Sequence, residues 1–314
     1  MFCSELGRFT TRESLAGGDM AVASYAVPRR RRRRLGTVLI AVPVAIAVAV
    51  AGYVFMHRAK PYLIGPGCLA RVSGQSVSLD PEQAAIAGTI AGVAYRRRVP
   101  GEAATVAYAT AMQESHLHND PYGDRDSVGV FQQRPSEGWG TAQQLQDPVY
   151  ATTKFFDALV QVRGYQRMPV YTAAQEVQHS ADGSAYQQYQ QFAALLSQAF
   201  TGRAAGGVWC WYTPAPKVTP NLPVAEQELT RTFGALHVSH PQSDPGGQVM
   251  RGLSVRAAST EAGWSMAAWS VAHAQEYGLR TVRYAGYQWQ AASGTSGWQR
   301  VSGAAGPADR LDLS

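Results

Sequence analysis

The sequence predicts a mainly α protein with one N-terminal transmembrane helix, an α-helical domain and a small C-terminal α/β domain. Three observations predict this: an uncharged apolar run at 35–56, alanine-rich capped segments at 80–202, and mixed helix and strand patterns at 224–305. Hydrophobic residues make up 46% of the chain and charged residues 16%. This composition supports a large buried core and excludes global disorder.

Residues 35–56 are 22 residues without a charge, LGTVLIAVPVAIAVAVAGYVFM. A helix of that length crosses a hydrocarbon core of about 30 Å. The run Arg29–Arg34 lies directly before it, so the positive-inside rule predicts 1–34 as a cytoplasmic basic tail. We therefore expect a single-pass cell-membrane protein whose remaining residues lie outside the cytoplasm. A cleaved secretory signal is the alternative, because Ala49-Val50-Ala51 resembles a cleavage site.

Most of the net charge of +6 comes from the leader, where Arg29–Arg34 alone supply six positive charges. From His57 onward there are 20 Lys/Arg against 19 Asp/Glu, a net charge of +1. The folded part therefore carries no basic surface of the kind that follows phosphates, and no nucleic-acid partner is expected.

Three cysteines fit the predicted topology. Cys3 would be cytoplasmic, whereas Cys68 and Cys210 would share an oxidising compartment and could form a disulfide. Two buried free thiols are the alternative, because two cysteines carry no diagnostic spacing.

The elements follow in order from the local signals. Residues 57–79 are rich in Gly, Pro and Ser and predict a stalk. Asp80-Pro81-Glu82 predicts a helix start, and a helix should run from there to just before Pro100. A second helix, EAATVAYATAMQES, follows Gly101 and leads into a loop rich in turn formers, NDPYGDRDSVG. Further helices are predicted at 148–162, 173–179 and 184–200, completing a helical domain at 80–202.

The remainder predicts a linker at 203–223 and a small α/β accessory domain at 224–305. Gly263 to Tyr277 has the pattern of an amphipathic helix, and 279–284 alternates as a strand does. Trp264 and Trp269 on this helix are expected in the core.

Glu114 is the strongest candidate for chemistry. It lies at the predicted end of the second helix, with Ala103, Ala107 and Thr110 on its own face. Apolar surroundings disfavour a carboxylate, and a helix C-terminus adds partial negative charge. Both effects favour a protonated acid, which is the group a glycosidase needs.

The stretch Glu114-Ser115, a turn-rich loop, and then Ser127-Val128-Gly129-Val130-Phe131-Gln132 resembles soluble lytic transglycosylases and goose-type lysozymes. In that lysozyme-like superfamily an E-S pair ends the catalytic helix, and an S-x-G-L-M-Q-like segment forms the adjoining wall of the cleft. The resemblance covers about 80–201. The combination Q-E-S, G-D-R-D-S, F-Q-Q-R-P and D-P-V-Y-A-T is similar to a group of membrane-anchored actinobacterial proteins.

The resemblance implies a role for each residue. Glu114 would be general acid and then base, Ser115 would orient nearby polar groups, and Gln132 with the Gly129 backbone would contact an N-acetylated sugar. Ser127 belongs to the same wall. The family's later A-Y-N tyrosine has no direct match here, and Tyr186 is the best substitute. No cofactor is implied.

A lytic transglycosylase needs no second carboxylate, whereas an inverting lysozyme needs one to activate water. Asp124 and Asp126 are candidates for that carboxylate, and the alternative is that both stabilise turns. Trp139, between two glycines, could line a sugar cleft or pack in the core.

Two histidine pairs are candidates for a metal site. His116-x-His118 lacks further ligands at supporting spacing. His237, His240 and Asp244 faintly resemble a zinc-peptidase motif, but the surrounding glycine and serine pattern does not match. No metal site is predicted.

The sequence thus predicts a membrane-anchored enzyme that cleaves the glycan strands of peptidoglycan. The alternative is a non-catalytic peptidoglycan-binding or scaffold protein of a cell-envelope complex. Protein partners are not predicted.

Overall fold

The computed structural model describes residues 43–44, 46–53, 65–179, 184–212, 219–240, 252–301 and 308–314. The chain divides into two compact units, Met1–Met56 and His57–Ser314. The described residues of the first unit are helical. All further elements belong to the second unit.

The fold class predicted from the sequence is wrong. The protein is mixed α/β with two sheets instead of mainly α. The predicted transmembrane helix at 35–56 lies partly outside the described residues. Among the residues that are described, no helix is both long and apolar enough to cross a membrane.

The helices of the second unit are named in chain order. They are α1 Pro81–Arg96, α2 Gly101–Ser115, α3 Ala142–Leu145, α4 Pro148–Leu159, α5 Val170–Gln178, α6 Ser184–Gln187, α7 Gln190–Phe200, α8 Leu222–Phe233, α9 Thr260–Ala272 and α10 Ala274–Tyr277. Short 3₁₀ helices lie at Pro135–Glu137, Tyr165–Arg167 and Ala291–Ser296.

The strands form two sheets. They are β1 Gly67–Val72, β2 Gln75–Leu79, β3 Val208–Trp211, β4 His237–Ser239, β5 Leu253–Arg256, β6 Thr281–Tyr284, β7 Tyr287–Gln290, β8 Gln299–Arg300 and β9 Arg310–Leu313. One sheet has the order β2-β1-β3, and the other has the order β4-β5-β9-β6-β7-β8. All the described pairs are antiparallel.

The first helix begins where the sequence predicts. The Asp80 side chain accepts a hydrogen bond from the Gln83 backbone N–H, and the Gln83 side chain accepts one from the Asp80 N–H. This capping box, with Pro81 in the first turn, satisfies two backbone donors that a helix start otherwise leaves open. Here the local sequence alone determines the boundary.

The predicted stalk and linker contain the strands of one sheet, which come before and after the helical part in the chain. Part of 57–79 forms the β1–β2 hairpin, and part of 203–223 forms β3, which pairs with β1. Cys68 lies opposite Cys210 in this pairing, and the two form a disulfide. The bond joins the strand before the helices to the strand after them.

Two glycines on α1 let the C-terminal elements pack closely against it. A Cβ at Gly88 would lie 3.2 Å from the Cα of Trp269 on α9, and one at Gly92 would collide with Thr232 and Phe233 of α8. Larger side chains would hold these helices apart. The small residues therefore explain how residues on either side of the predicted linker share one compact unit.

Three rings stack along the end of this helical face. His273 lies 4.2 Å from the Trp269 ring centroid and 5.8 Å from that of Tyr277, and its Nδ1 lies 2.9 Å from the Trp269 carbonyl oxygen. Burial lowers the pKa of His273 from 6.5 to about 4. The native state therefore favours the neutral imidazole, and protonation of His273 lowers the unfolding free energy. The stability that depends on the neutral ring is fully present above pH 6.5 and is lost as the pH falls through about 4.

We expect wild-type protein to lose about 3 kcal/mol more unfolding free energy than His273→Phe between pH 7 and pH 4. Phenylalanine preserves a stacking ring but cannot bind a proton. Urea unfolding at a series of pH values measures both curves. Parallel curves for the two proteins would show that His273 does not titrate in this range.

Candidate active site

Glu114 lies in the last turn of α2 and is half-buried. The hydroxyl of Tyr186, a buried residue of α6, donates a hydrogen bond of 2.6 Å to Glu114 Oε1. Within the described part of the chain, Glu114 Oε2 has no hydrogen-bond or ion-pair partner. One carboxyl oxygen is thus held by the protein, and the other is available to a ligand.

The end of α2 is fixed by Ser115. Its buried Oγ donates to the Val130 carbonyl at 2.8 Å and also lies 3.1 Å from the Ala111 carbonyl. His116 and Leu117 then adopt left-handed backbone angles, with φ of 54° and 62°, which end the helix. Ser115 therefore positions the residue before it by joining the helix end to the segment around Val130.

That segment, residues 127–133, is a tight turn closed by a bridge between Val128 and Gln133. The Gln132 amide spans the turn: its Oε1 accepts from Ser127 Oγ at 3.0 Å, and its Nε2 donates to the Gly129 carbonyl at 3.1 Å. The polar groups predicted to contact a sugar are thus bonded to one another in this structure.

Gly129 is required at its position. Its φ is +80°, its N–H donates to the Asp120 carbonyl at 2.7 Å, and a Cβ would collide with the Leu145 carbonyl. The glycine lets the turn pack directly against the backbone at the end of α3.

The turn is supported by contacts with Phe155, Gln178 and Gly123, which the sequence did not single out. Phe131 stacks on Phe155 of α4 with 4.5 Å between ring centroids, and its carbonyl accepts from Gln178 Nε2 at 2.8 Å. Gly123 packs against Ser127 and Gln132 so closely that a Cβ would collide with both. The contacting residues are far apart in the sequence or meet only because of the loop conformation. No local sequence pattern therefore predicts these contacts.

Both candidate second carboxylates stabilise the loop before this turn. The Asp124 side chain is 81% exposed and pairs with Arg134 at 2.9 Å. Asp126 accepts from the Ser136 N–H at 2.8 Å and from its hydroxyl at 3.0 Å, and these bonds lower the pKa of Asp126. Each carboxylate therefore has a structural partner of its own.

Trp139 is half-buried against the core. Gly138 and Gly140 flank it with φ of 83° and 142°, and Tyr150 donates to its carbonyl at 3.4 Å. A Cβ on Gly140 would lie 2.6 Å from the Tyr150 hydroxyl, so the glycine permits this approach.

Of the two histidines after α2, His118 has structural partners for its ring. His118 lies 3.0 Å from Asp80 Oδ2 and 3.2 Å from the Ser115 carbonyl, which ties the end of α2 to the start of α1. Burial alone would lower the pKa of His118, but Asp80 and the Ser115 carbonyl outweigh it and raise the pKa. Asp244 lies outside the described residues. Within the described ranges, no group of three or more His, Cys, Asp or Glu side chains could hold a metal ion.

No protein-family model matches the chain, and no curated protein sequence matches it. The site is therefore characterised by its geometry alone. It has one half-buried carboxyl group at a helix end, Glu114, which is hydrogen-bonded to the buried Tyr186. The next residue, Ser115, is bonded to the turn that requires Gly129.

Proposed function

We propose that this chain cleaves the glycan strands of peptidoglycan, with Glu114 as the general acid and then the general base. The observation that carries the proposal is the 2.6 Å hydrogen bond from Tyr186 to Glu114 Oε1, which leaves Oε2 without a partner in the described part of the chain. Glycoside cleavage requires a carboxyl group that is positioned to protonate the leaving oxygen. The E-S and S-x-G-x-x-Q motifs around it support the substrate class.

The reaction uses one carboxyl group twice. Protonated Glu114 gives its proton to the glycosidic oxygen as the bond to the anomeric carbon breaks through an oxocarbenium-like state. The 6-hydroxyl of the same sugar then attacks the anomeric carbon and gives its proton to the Glu114 carboxylate. A ring-closed anhydro sugar results, and Glu114 returns to its starting state without any cofactor.

The geometry favours this lytic route over hydrolysis. Hydrolysis with inversion needs a second carboxylate to activate water. Asp124 is paired with Arg134, and Asp126 is bonded to Ser136, so both nearby candidates are occupied in the loop.

The disulfide between Cys68 and Cys210 supports a position for 57–314 outside the cytoplasm, because such bonds persist in oxidising compartments. This is also where peptidoglycan lies. The proposed substrate and the proposed compartment therefore agree.

Digestion of purified sacculi with the full chain tests the proposal. Mass spectrometry of the released muropeptides should show anhydro ends. Reducing ends would instead indicate hydrolysis, with Asp124 or Asp126 as the carboxylate that activates water. Sacculus binding without any released product would contradict cleavage and favour the non-catalytic peptidoglycan-binding alternative.

Tyr186→Phe removes the hydroxyl that holds Glu114 and should lower kcat about 10- to 100-fold, the effect of losing one hydrogen bond to a charged group. KM should change little, because Tyr186 is a positioning residue that contacts Glu114. Steady-state rates on a soluble glycan fragment measure this split. Tyr189→Phe is the matched control, and equal rates for the two variants would argue against the positioning role.

A further inference from the structure

A pocket of about 360 Å³ lies between the three-stranded sheet and the C-terminal elements. Its aromatic lining comes from four separate elements: Trp209 of β3, Trp264 of α9, Tyr287 of β7, and Trp298 beside β8. Trp209 and Trp264 are buried, whereas Tyr287 and Trp298 are half exposed. The pocket thus has an aromatic floor and two aromatic rims.

The rings are held in fixed orientations. Trp264 meets Trp298 edge to face with 5.2 Å between centroids, and Trp298 Nε1 donates to the Val208 carbonyl at 2.6 Å. Two glycines with positive φ, Gly206 and Gly297, bring the backbone against the rings. A Cβ would lie 3.4 Å from Trp298 at the first and 3.3 Å from Trp209 at the second. The rims are therefore already ordered before any ligand binds, which lowers the entropic cost of binding.

The pocket is also cationic. Arg71 lines the pocket, and its guanidinium lies 4.9 Å from the Trp209 ring centroid. Arg300 lies outside the lining, at the rim, with its guanidinium 5.8 Å from the Tyr287 ring centroid. Among the described residues neither arginine has an ion pair, and no carboxylate lines the pocket. Both guanidinium groups can therefore donate to an incoming anion.

We propose that this pocket is a second ligand site, which binds a sugar unit that carries a carboxylate. The flat C–H face of a sugar ring packs on the rim aromatics, and the carboxylate accepts hydrogen bonds from Arg71 and Arg300. A purely apolar ligand would make no hydrogen bonds with the two arginines, and a small anion would not pack on the aromatic rims. The choice of a wall-type amino sugar as the probe rests on the proposed function, whereas the existence of the pocket does not.

The pocket is distinct from the Glu114 site. Gly206 of the pocket closely follows Arg203, which with Gly101 lines a neighbouring cavity at the start of α2. Glu114 lies thirteen residues further along α2, which corresponds to about 20 Å of helix. A ligand in the pocket therefore leaves Glu114 accessible.

Binding of two monosaccharides to the full chain, measured by saturation-transfer NMR, tests this proposal. N-acetylmuramic acid and N-acetylglucosamine share a ring and differ by the lactyl carboxylate. We expect N-acetylmuramic acid to bind about tenfold more tightly, and Arg71→Gln and Arg300→Gln each to remove most of that preference. Both arginines are exposed, so these variants should fold. Arg280→Gln, at another exposed arginine, is the matched control.

Two further variants locate the bound sugar. Trp298→Ala should weaken binding of both sugars, whereas Glu102→Gln, at an exposed glutamate outside the pocket, should leave both unchanged. Neither result depends on whether the chain cleaves sacculi. Equal affinities for the two sugars in wild-type protein would overturn the proposal. Binding that survives both arginine substitutions but is lost in Trp139→Ala would also overturn it, because the sugar would then lie near the candidate active site.

Discussion

Glu114→Gln should lower the rate of sacculus cleavage about 10³-fold, within the range that general acid–base groups contribute. The amide cannot protonate the leaving oxygen and cannot accept the proton of the attacking hydroxyl, so both halves of the reaction are affected. The initial rate of muropeptide release, followed by chromatography, measures the loss. Glu102→Gln is a matched control, because Glu102 is an exposed glutamate in the first turn of the same helix.

The substitution should leave the fold intact. Glutamine is nearly isosteric, and its Oε1 can still accept the hydrogen bond from Tyr186. Unchanged thermal unfolding and unchanged sacculus binding would therefore separate lost chemistry from lost structure. If Glu114→Gln and Glu102→Gln both cleave at the wild-type rate, Glu114 is not the catalytic acid.

The sequence predicts well those elements whose signals are local. Asp80 and Gln83 start α1 through a capping box with Pro81 in the first turn, and α2 runs over Gly101–Ser115 as its alanine-rich composition indicates. Capping and helix propensity act within one turn, so a few residues determine the boundary. A break within 184–200, where α6 ends at Gln187 and α7 begins at Gln190, carries no such signal.

Apart from the segment 279–284, which contains β6, the strands were missed because their pairing with other segments stabilises them. β3 has four residues within a segment whose Gly and Pro content predicts a linker, and its partner β1 lies in the predicted stalk. In the second sheet, the C-terminal β9 lies between β5 and β6. Short strands of this kind depend on tertiary context more than on intrinsic preference. The prediction of a mainly α fold failed for that reason.

The candidate site divides in the same way. Glu114 and Tyr186 were selected from motif and position, and the structure brings them within 2.6 Å. Ser115, which was predicted to orient nearby polar groups, bonds to the Val130 carbonyl, and Gln132, which was predicted to contact a sugar, bonds to Ser127 and Gly129 within its own turn. Side-chain identity indicates which groups are present, but only the fold determines which partner each group uses.

The disulfide should contribute about 5 kcal/mol to the unfolding free energy, a large share of the stability of a typical domain. Cys68 and Cys210 are 142 residues apart, and a cross-link that closes so long a loop strongly restricts the unfolded chain. The double variant Cys68→Ser/Cys210→Ser should therefore unfold at much lower urea concentration than wild-type protein. Cys3→Ser is the control for the loss of a thiol outside the bridge.

Stability and catalysis should respond differently to this change. The bond joins β1 to β3, whereas Glu114 is oriented by Ser115, Tyr186 and the turn at 127–133, none of which contains a cysteine. Below its unfolding transition the double variant should therefore cleave at close to the wild-type rate, while losing activity at a lower temperature. Full stability in the double variant would show that strand pairing and packing alone hold the two ends of the helical part together. Lost activity in a fully folded variant would show that the position of Glu114 at the end of α2 depends on the bonded pair of strands β1 and β3.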